Sequence, residues 1–92
     1  MEWHQIKESF KVNQIVTGKV VQHSAFGYFI DLGLPYLGLV QITDIRDTSD
    51  SIKVDEYPKI GETVKGVILG FKENNQQIWV GTKKSQLAQG VE

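Results

Sequence analysis

Between Phe26 and Ile42 the chain reads Phe-Gly-Tyr-Phe-Ile-Asp-Leu-Gly-Leu-Pro-Tyr-Leu-Gly-Leu-Val-Gln-Ile, and no other stretch restricts the fold as much. An aromatic and branched run opens it, Gly33 to Pro35 break it, and Leu37 to Ile42 resume it, a pattern that predicts two strands joined by a turn. Alternation sorts the faces. With Ile30 and Leu32 in a core, Tyr28 points the same way, while Phe29 and Asp31 point out. Phe26 stands before Gly27, a place for a bulge or bend. An outward ring beside such a kink is a candidate stacking platform, because its apolar face stays in water until a ligand covers it.

Short apolar runs continue on either side. Ile15 to Gln22 predicts a first strand, with Val16, Gly18 and Val20 on one face and Thr17, Lys19 and Val21 on the other; Gly18 marks a tight coil, as at the corner of a small barrel. Thr63 to Phe71 and Gln77 to Thr82 predict the fourth and fifth strands across an Asn-containing turn, Glu73 to Gln76. The fifth places Ile78 and Val80 inside and Gln77, Trp79 and Gly81 outside. Thr43 to Asp47 predicts a short helical turn between the third and fourth strands, followed by a polar loop from Thr48 to Pro58. Trp3, Ile6 and Phe10, spaced by three and four, predict a short helix or docked segment within an N-terminal lead-in over residues 1–12. Residues 13–84 form the domain, and 85–92 are expected to fray as a flexible tail.

Five short strands, no long helix and mid-strand glycines place the chain in the all-β class, as a five-stranded antiparallel Greek-key barrel of the OB-fold type. Its expected core is Val16, Val20, Ile30, Leu32, Leu39, Val64, Ile68, Ile78 and Val80, with Gly18 and Gly66 where strands coil tightly.

Composition removes several functions. The 92 residues leave room for one core. Without Cys there is neither a disulfide nor a Cys-based zinc site, and His4 and His23 carry no ligand spacing, so no metal or cofactor is expected. No nucleophile, base and orienting acid can be grouped, and no phosphate-cradling glycine motif occurs, so the chain does not read as an enzyme. No apolar run approaches the ~18 residues of a membrane span, and Met-Glu-Trp-His-Gln lacks the basic and apolar regions of a signal peptide; the expectation is a cytoplasmic chain with no membrane partner. Formal net charge is −1. Between Asp44 and Tyr57, five acidic residues face Arg46 and Lys53, a local balance of −3 that leaves +2 on the remainder. A mildly basic body with an acidic loop can meet a phosphate backbone away from that loop.

Five segments in order resemble the S-one RNA-binding domain, the repeat named after bacterial ribosomal small-subunit protein one. They are Val16-Thr17-Gly18-Lys19-Val20, Phe26-Gly27-Tyr28-Phe29-Ile30-Asp31-Leu32-Gly33, Gly38-Leu39-Val40-Gln41-Ile42-Thr43, Ile60-Gly61-Glu62-Thr63-Val64 and Ile78-Trp79-Val80-Gly81-Thr82-Lys83. The resemblance implies that Phe26 and Phe29 stack on bases. Gln41 stands where the family commonly has a histidine, and Gln77, beside Gln76, where it commonly has an arginine. The acidic residue that commonly ends the fourth strand falls on Lys72 or Glu73. The implied face therefore joins Phe26, Phe29, Gln41 and Gln77, with Lys19 and Lys72 as cations. Trp79 either adds a stacking surface beside Gln77 or packs with Trp3 under the N-terminal segment.

Two functions follow. One is a monomeric, non-enzymatic module that binds single-stranded RNA weakly and without sequence preference, by stacking on Phe26 and Phe29, in translation, RNA decay or a ribosome-associated role. The other is a protein-interaction domain that keeps the barrel and has lost RNA binding. Gln41, Gln77 and the net charge lean towards the second, while Phe26, Phe29, Lys19, Lys72, Lys83 and Lys84 lean towards the first, which is preferred.

Overall fold

A lone hairpin leaves two unpaired edges, and each edge here finds a further strand until the ring closes. The computed structural model describes residues 1–47 and 52–91. Strands β1 (Ile15–Ser24), β2 (Gly27–Asp31), β3 (Gly38–Gln41), β4 (Thr63–Lys72) and β5 (Gln77–Gly81) form a closed barrel in the order β1-β2-β3-β5-β4.

The two long strands make closure possible. The first half of β1 pairs with β4, from Ile15↔Val67 to Lys19↔Thr63, and its second half pairs with β2, from Lys19↔Asp31 to Ser24↔Gly27. Between them the register shifts at Val20/Gln22, a bulge that bends the strand from one neighbour to the other. β4 behaves alike: it leaves β1 at Val67 and runs along β5 to Lys72↔Gln77, with its own shift at Ile68/Gly70. At Gly66 the strands cross so closely that a Cβ would stand 2.5 Å from Val80 Cγ1 and 2.8 Å from the Gly81 carbonyl. Only glycine fits there without displacement.

The expectation of a wholly antiparallel sheet is corrected. β3 and β5 run parallel, through Gly38↔Ile78 and Leu39↔Trp79. The reason is parity: directions cannot alternate all the way round a ring of five, so one neighbouring pair must run the same way. The helical turn expected after the third strand is a 3-10 turn at Ile42–Asp44, and a second follows at Val54–Glu56. Part of the predicted polar loop, residues 48–51, lies outside the described residues.

Val20, Tyr28, Ile30, Val40, Ile68, Ile78 and Val80 form the interior, and Val16, Leu32 and Val64 pack against it from the rims. Leu39, expected in the core, is buried at 3% exposure but lies outside the interior cluster. It pairs with Phe29 across β2 and β3, so it takes that residue's outer face while Val40 and Tyr28 point in. Helix α1 (Trp3–Ser9) covers the end where β1 begins, sinking Trp3 and Ile6 into the core cluster. The Trp3 ring meets Tyr36 at 5.1 Å and Phe71 at 6.0 Å, both edge-on. At the opposite end Tyr57 lies 5.7 Å from Tyr28 and donates its hydroxyl to the Ser24 carbonyl at 2.9 Å. Aromatic side chains thus close both mouths.

The C-terminal stretch, expected to be a frayed tail, is folded. A helix α2 (Lys84–Leu87) is followed by Val91, whose N–H donates to the Asn13 carbonyl at 2.7 Å and whose carbonyl accepts the Ile15 N–H at 2.9 Å. The start of β1 needs these partners, because an unpaired backbone group beside the core is costly. Gly90 admits the return, since a Cβ there would stand 2.6 Å from Ile15 Cγ1. No helix among the described residues is long and apolar enough to cross a membrane.

Ile30 is fully buried at the centre of the interior. Ile30→Ala is expected to cost about 2–5 kcal/mol through lost transfer energy and a residual cavity, read as a lowered midpoint in a denaturant melt. A near-neutral result would mean that β2 runs in the other phase.

Candidate functional site

The outer faces of β2, β3 and β5, with the β4–β5 turn, enclose a groove of about 540 Å3 lined by Phe26, Leu39, Gln41, Lys72, Gln77 and Trp79, and by Phe71, Glu73, Asn74 and Asn75. Five of the seven residues expected at a site line this groove: Phe26, Gln41, Lys72, Gln77 and Trp79.

Backbone geometry sets out Phe26. Gly27 has φ +152° and lies so close to the Val40 carbonyl that a side chain would collide with it, so only glycine makes this bend. The preceding residue is thrown outward, and Phe26 is 52% exposed. Phe29 differs from expectation. It lies outside the barrel as alternation requires, but it is only 8% exposed. Leu39 stands opposite it, and the Phe26 ring sits edge-on to it at 6.0 Å and 89°. A face that points out of a barrel is not thereby open to water when neighbours fold over it. Phe29 is a support beneath Phe26 rather than a free stacking surface.

Trp79 faces the groove from β5, opposite Leu39. Its indole N–H donates to Asp44 Oδ2 at 2.8 Å, and Lys72 Nζ stands 4.7 Å from its ring centroid, a cation–π contact. Of the two alternatives for this residue the structure gives the groove; Trp3 packs elsewhere. Lys19 does not line the groove. It pairs with Asp31 and borders a separate depression of about 340 Å3 beside Leu32 and Gly33. Lys83 and Lys84 are absent from the lining as well.

Two carboxylates set the electrostatics: Asp44, which sequence reasoning did not single out, and Glu73, one of the two places it offered for the family's acidic residue. Asp44 is buried, at 7% exposure, and accepts from Trp79 and, through Oδ1, from Gln86 Nε2 at 3.1 Å. Its only mark in the sequence is an acidic residue at a helical turn. β4 ends at Lys72 and Glu73 begins the β4–β5 turn, so the place where the family commonly ends the fourth strand with an acidic residue is held by Lys72, with Glu73 next to it. Glu73 Oε1 accepts the Trp3 indole N–H at 2.9 Å, and Oε2 accepts Lys7 Nζ at 2.9 Å. The Trp3 N–H, and then the Lys7 ammonium, hold its carboxyl below the usual carboxylate range.

A larger depression, of about 780 Å3, lies at the Tyr57 mouth beside Pro58, Lys59 and Glu62. Its tyrosines are buried in packing and present no open ring. Among the described residues no group of His, Asp or Glu is arranged to hold a metal ion. The first groove combines an open aromatic ring, a second ring with a cation over it, and the carboxamides of Gln41 and Gln77. That set suits a flat heterocycle on an anionic strand.

Residues 9–83 match the family model described as S1 RNA binding domain. Small ribosomal subunit protein bS1 of Coxiella burnetii is 33% identical over 82 residues, which are 89% of this chain and 15% of that protein; the chain thus spans a small part of this curated relative. The solution structure of GSP13 from Bacillus subtilis is similar at 28% identity with a TM-score of 0.68, over 84% of this chain and 58% of that one. Mycoplasma genitalium RNase R, in complex with ribose-methylated single-stranded RNA, shares the fold at a TM-score of 0.68 and 15% identity, over 87% of this chain and 14% of that one.

Because the Glu73 carboxyl sits below its ordinary range in the folded state, its contribution is present above the unfolded value of about 4.3 and is lost as pH falls through the folded one. Acidification below about pH 4.3 is expected to loosen α1, followed by NMR as a shift and faster exchange of the Trp3 indole N–H. Glu73→Gln, which keeps an acceptor but cannot titrate, should flatten that dependence; an unchanged profile would show that another group governs α1 docking.

Proposed function

Because the chain belongs to the S1 RNA-binding domain family, we propose that it is a non-enzymatic module that binds single-stranded RNA in the groove between Phe26 and Trp79. The observation that carries this reading is the placement in one groove of an open ring, Phe26, and a tryptophan under a lysine, Trp79 with Lys72. A base stacks on Phe26, whose tilt is held by the edge of Phe29 beneath it. A second base meets Trp79, and Lys72 takes the intervening phosphate. Gln41 and Gln77 flank the path with neutral donors and acceptors. Stacking tolerates any base, because every base has a π face.

The expected affinity is modest. Stacking contributes roughly 1–3 kcal/mol per base, so two rings give about 2–6 kcal/mol before ordering costs, no tighter than tens of micromolar. With one lysine in the groove, the slope of log affinity against log salt should be shallow, about −0.7 for each phosphate neutralised on a single strand. The name of the bS1 relative supports a ribosome-associated role; in the proposed reading the module acts as a monomer in the cytoplasm.

Fluorescence anisotropy with a short mixed-sequence RNA tests this. Phe26→Ala should weaken binding about fivefold or more at every salt concentration. Gln77→Arg should strengthen it and steepen the salt slope by roughly 0.7. Phe29→Ala should lower both affinity and stability, since its ring is covered. If Phe26→Ala and Gln77→Arg both leave binding unchanged, the groove is not an RNA site and the protein-docking reading takes its place.

A further inference from the structure

The stretch shared with the family ends at residues 9 and 83, whereas Trp3, Lys7 and Gln86 lie outside it. Each of these three side chains nevertheless reaches a residue that forms or holds a wall of the groove. On one side, Trp3 and Lys7 of α1 bind Glu73, the first residue of the turn that carries Asn74 and Asn75 to Gln77. On the other, Gln86 of α2 donates to Asp44, whose second oxygen accepts the indole N–H of Trp79. The Asp44 carbonyl also accepts the Thr82 N–H at 2.8 Å, tying the end of β5 to the 3-10 turn.

We propose that the two terminal helices are the positioning elements of the groove, α1 through Glu73 and α2 through Asp44, an inference that rests on the RNA-binding reading above. Neither Trp3 nor Asp44 is open to a ligand, at 8% and 7% exposure, so both act through the residues they hold. The α2 link fixes the ring plane of Trp79: an indole N–H bonded to a buried carboxylate cannot turn without stranding both groups. The α1 link has an electrostatic part as well. Glu73 stands on the rim of a groove meant for phosphate, and the Lys7 ammonium at 2.9 Å offsets its charge. Without Lys7 the rim would carry an unpaired carboxylate beside Lys72, and an incoming strand would be repelled.

The test uses the full chain and short mixed-sequence RNA, at a temperature where circular dichroism shows every variant folded. Asp44→Ala should shift the Trp79 indole resonance in the absence of RNA and weaken RNA binding about fivefold, part of the loss of one stacked base. Asp44→Asn, which keeps an acceptor for the indole, should restore most of both. Should Asp44→Ala not fold, Gln86→Ala replaces it, with a smaller change in the same two readouts. Lys7→Gln should weaken binding about two- to fivefold at low salt and less at high salt. Adding Glu73→Gln to Lys7→Gln should return the affinity, a rescue that a purely structural ion pair would not give. Phe26→Ala separates the two claims. If it weakens binding while Asp44→Ala and Lys7→Gln bind as wild type, the helices are not positioning elements and only this inference falls. If Phe26→Ala is also without effect, the RNA reading falls and this one with it.

Discussion

Everything on the outer surface of this domain depends on β1 and β4 each turning a corner. Each strand is ten residues long and serves two neighbours, one on either side of a register shift. Without those bends the five strands would lie as an open sheet with two bare edges. With them β5 is brought beside β3, and Trp79 comes to stand opposite Leu39 and across a groove from Phe26. Close crossing at Gly66 is part of the same device, because the bends bring β4 against β5 with no space for a side chain.

Much of this was legible in the sequence. Alternation along Tyr28, Phe29 and Ile30 gave the correct faces, and Gly27 marked the bend that throws Phe26 into solvent. What failed was the step from face to exposure. Phe29 points outward and is covered, because exposure depends on Leu39 and Phe26, which alternation along one strand cannot report. Leu39 was misplaced for the same reason: its face follows from its register against Phe29. Trp79 had two possible neighbours until the pairing of β3 with β5 chose one. Lys19 has the right charge on a strand of the right motif, yet its place in β1, in register with Asp31 and Thr63, puts it at a separate depression. The folded C-terminal stretch left no local signal, since Val91 is held by backbone groups of Asn13 and Ile15 far away in the chain.

Charge counted along the chain also misled. A formal charge of −1 argues against a polyanion partner, but two of the contributing carboxylates at the groove already have partners. Asp44 is buried against Trp79 and Gln86, and Glu73 is bound by Trp3 and Lys7. The cation that remains in the groove is Lys72, held over an indole ring. Local potential is set by which charges are already paired, and pairing is a property of the fold.

The parallel seam between β3 and β5 has a kinetic meaning. Leu39 and Trp79 are separated by a long excursion through two 3-10 turns and all of β4, whereas β1–β2 and β4–β5 are hairpins of neighbours in sequence. Loop closure makes such a distant junction slower to form than a hairpin, and the β1–β4 junction, from Ile15↔Val67 to Lys19↔Thr63, spans more chain still, so the barrel should zip from its hairpins before either long-range seam closes. The groove straddles the β3–β5 junction, with Phe26 on one side and Trp79 on the other. A strand laid across it would act as a clasp on a late-closing joint, lengthening the lifetime of the closed barrel while leaving the speed of its assembly unchanged.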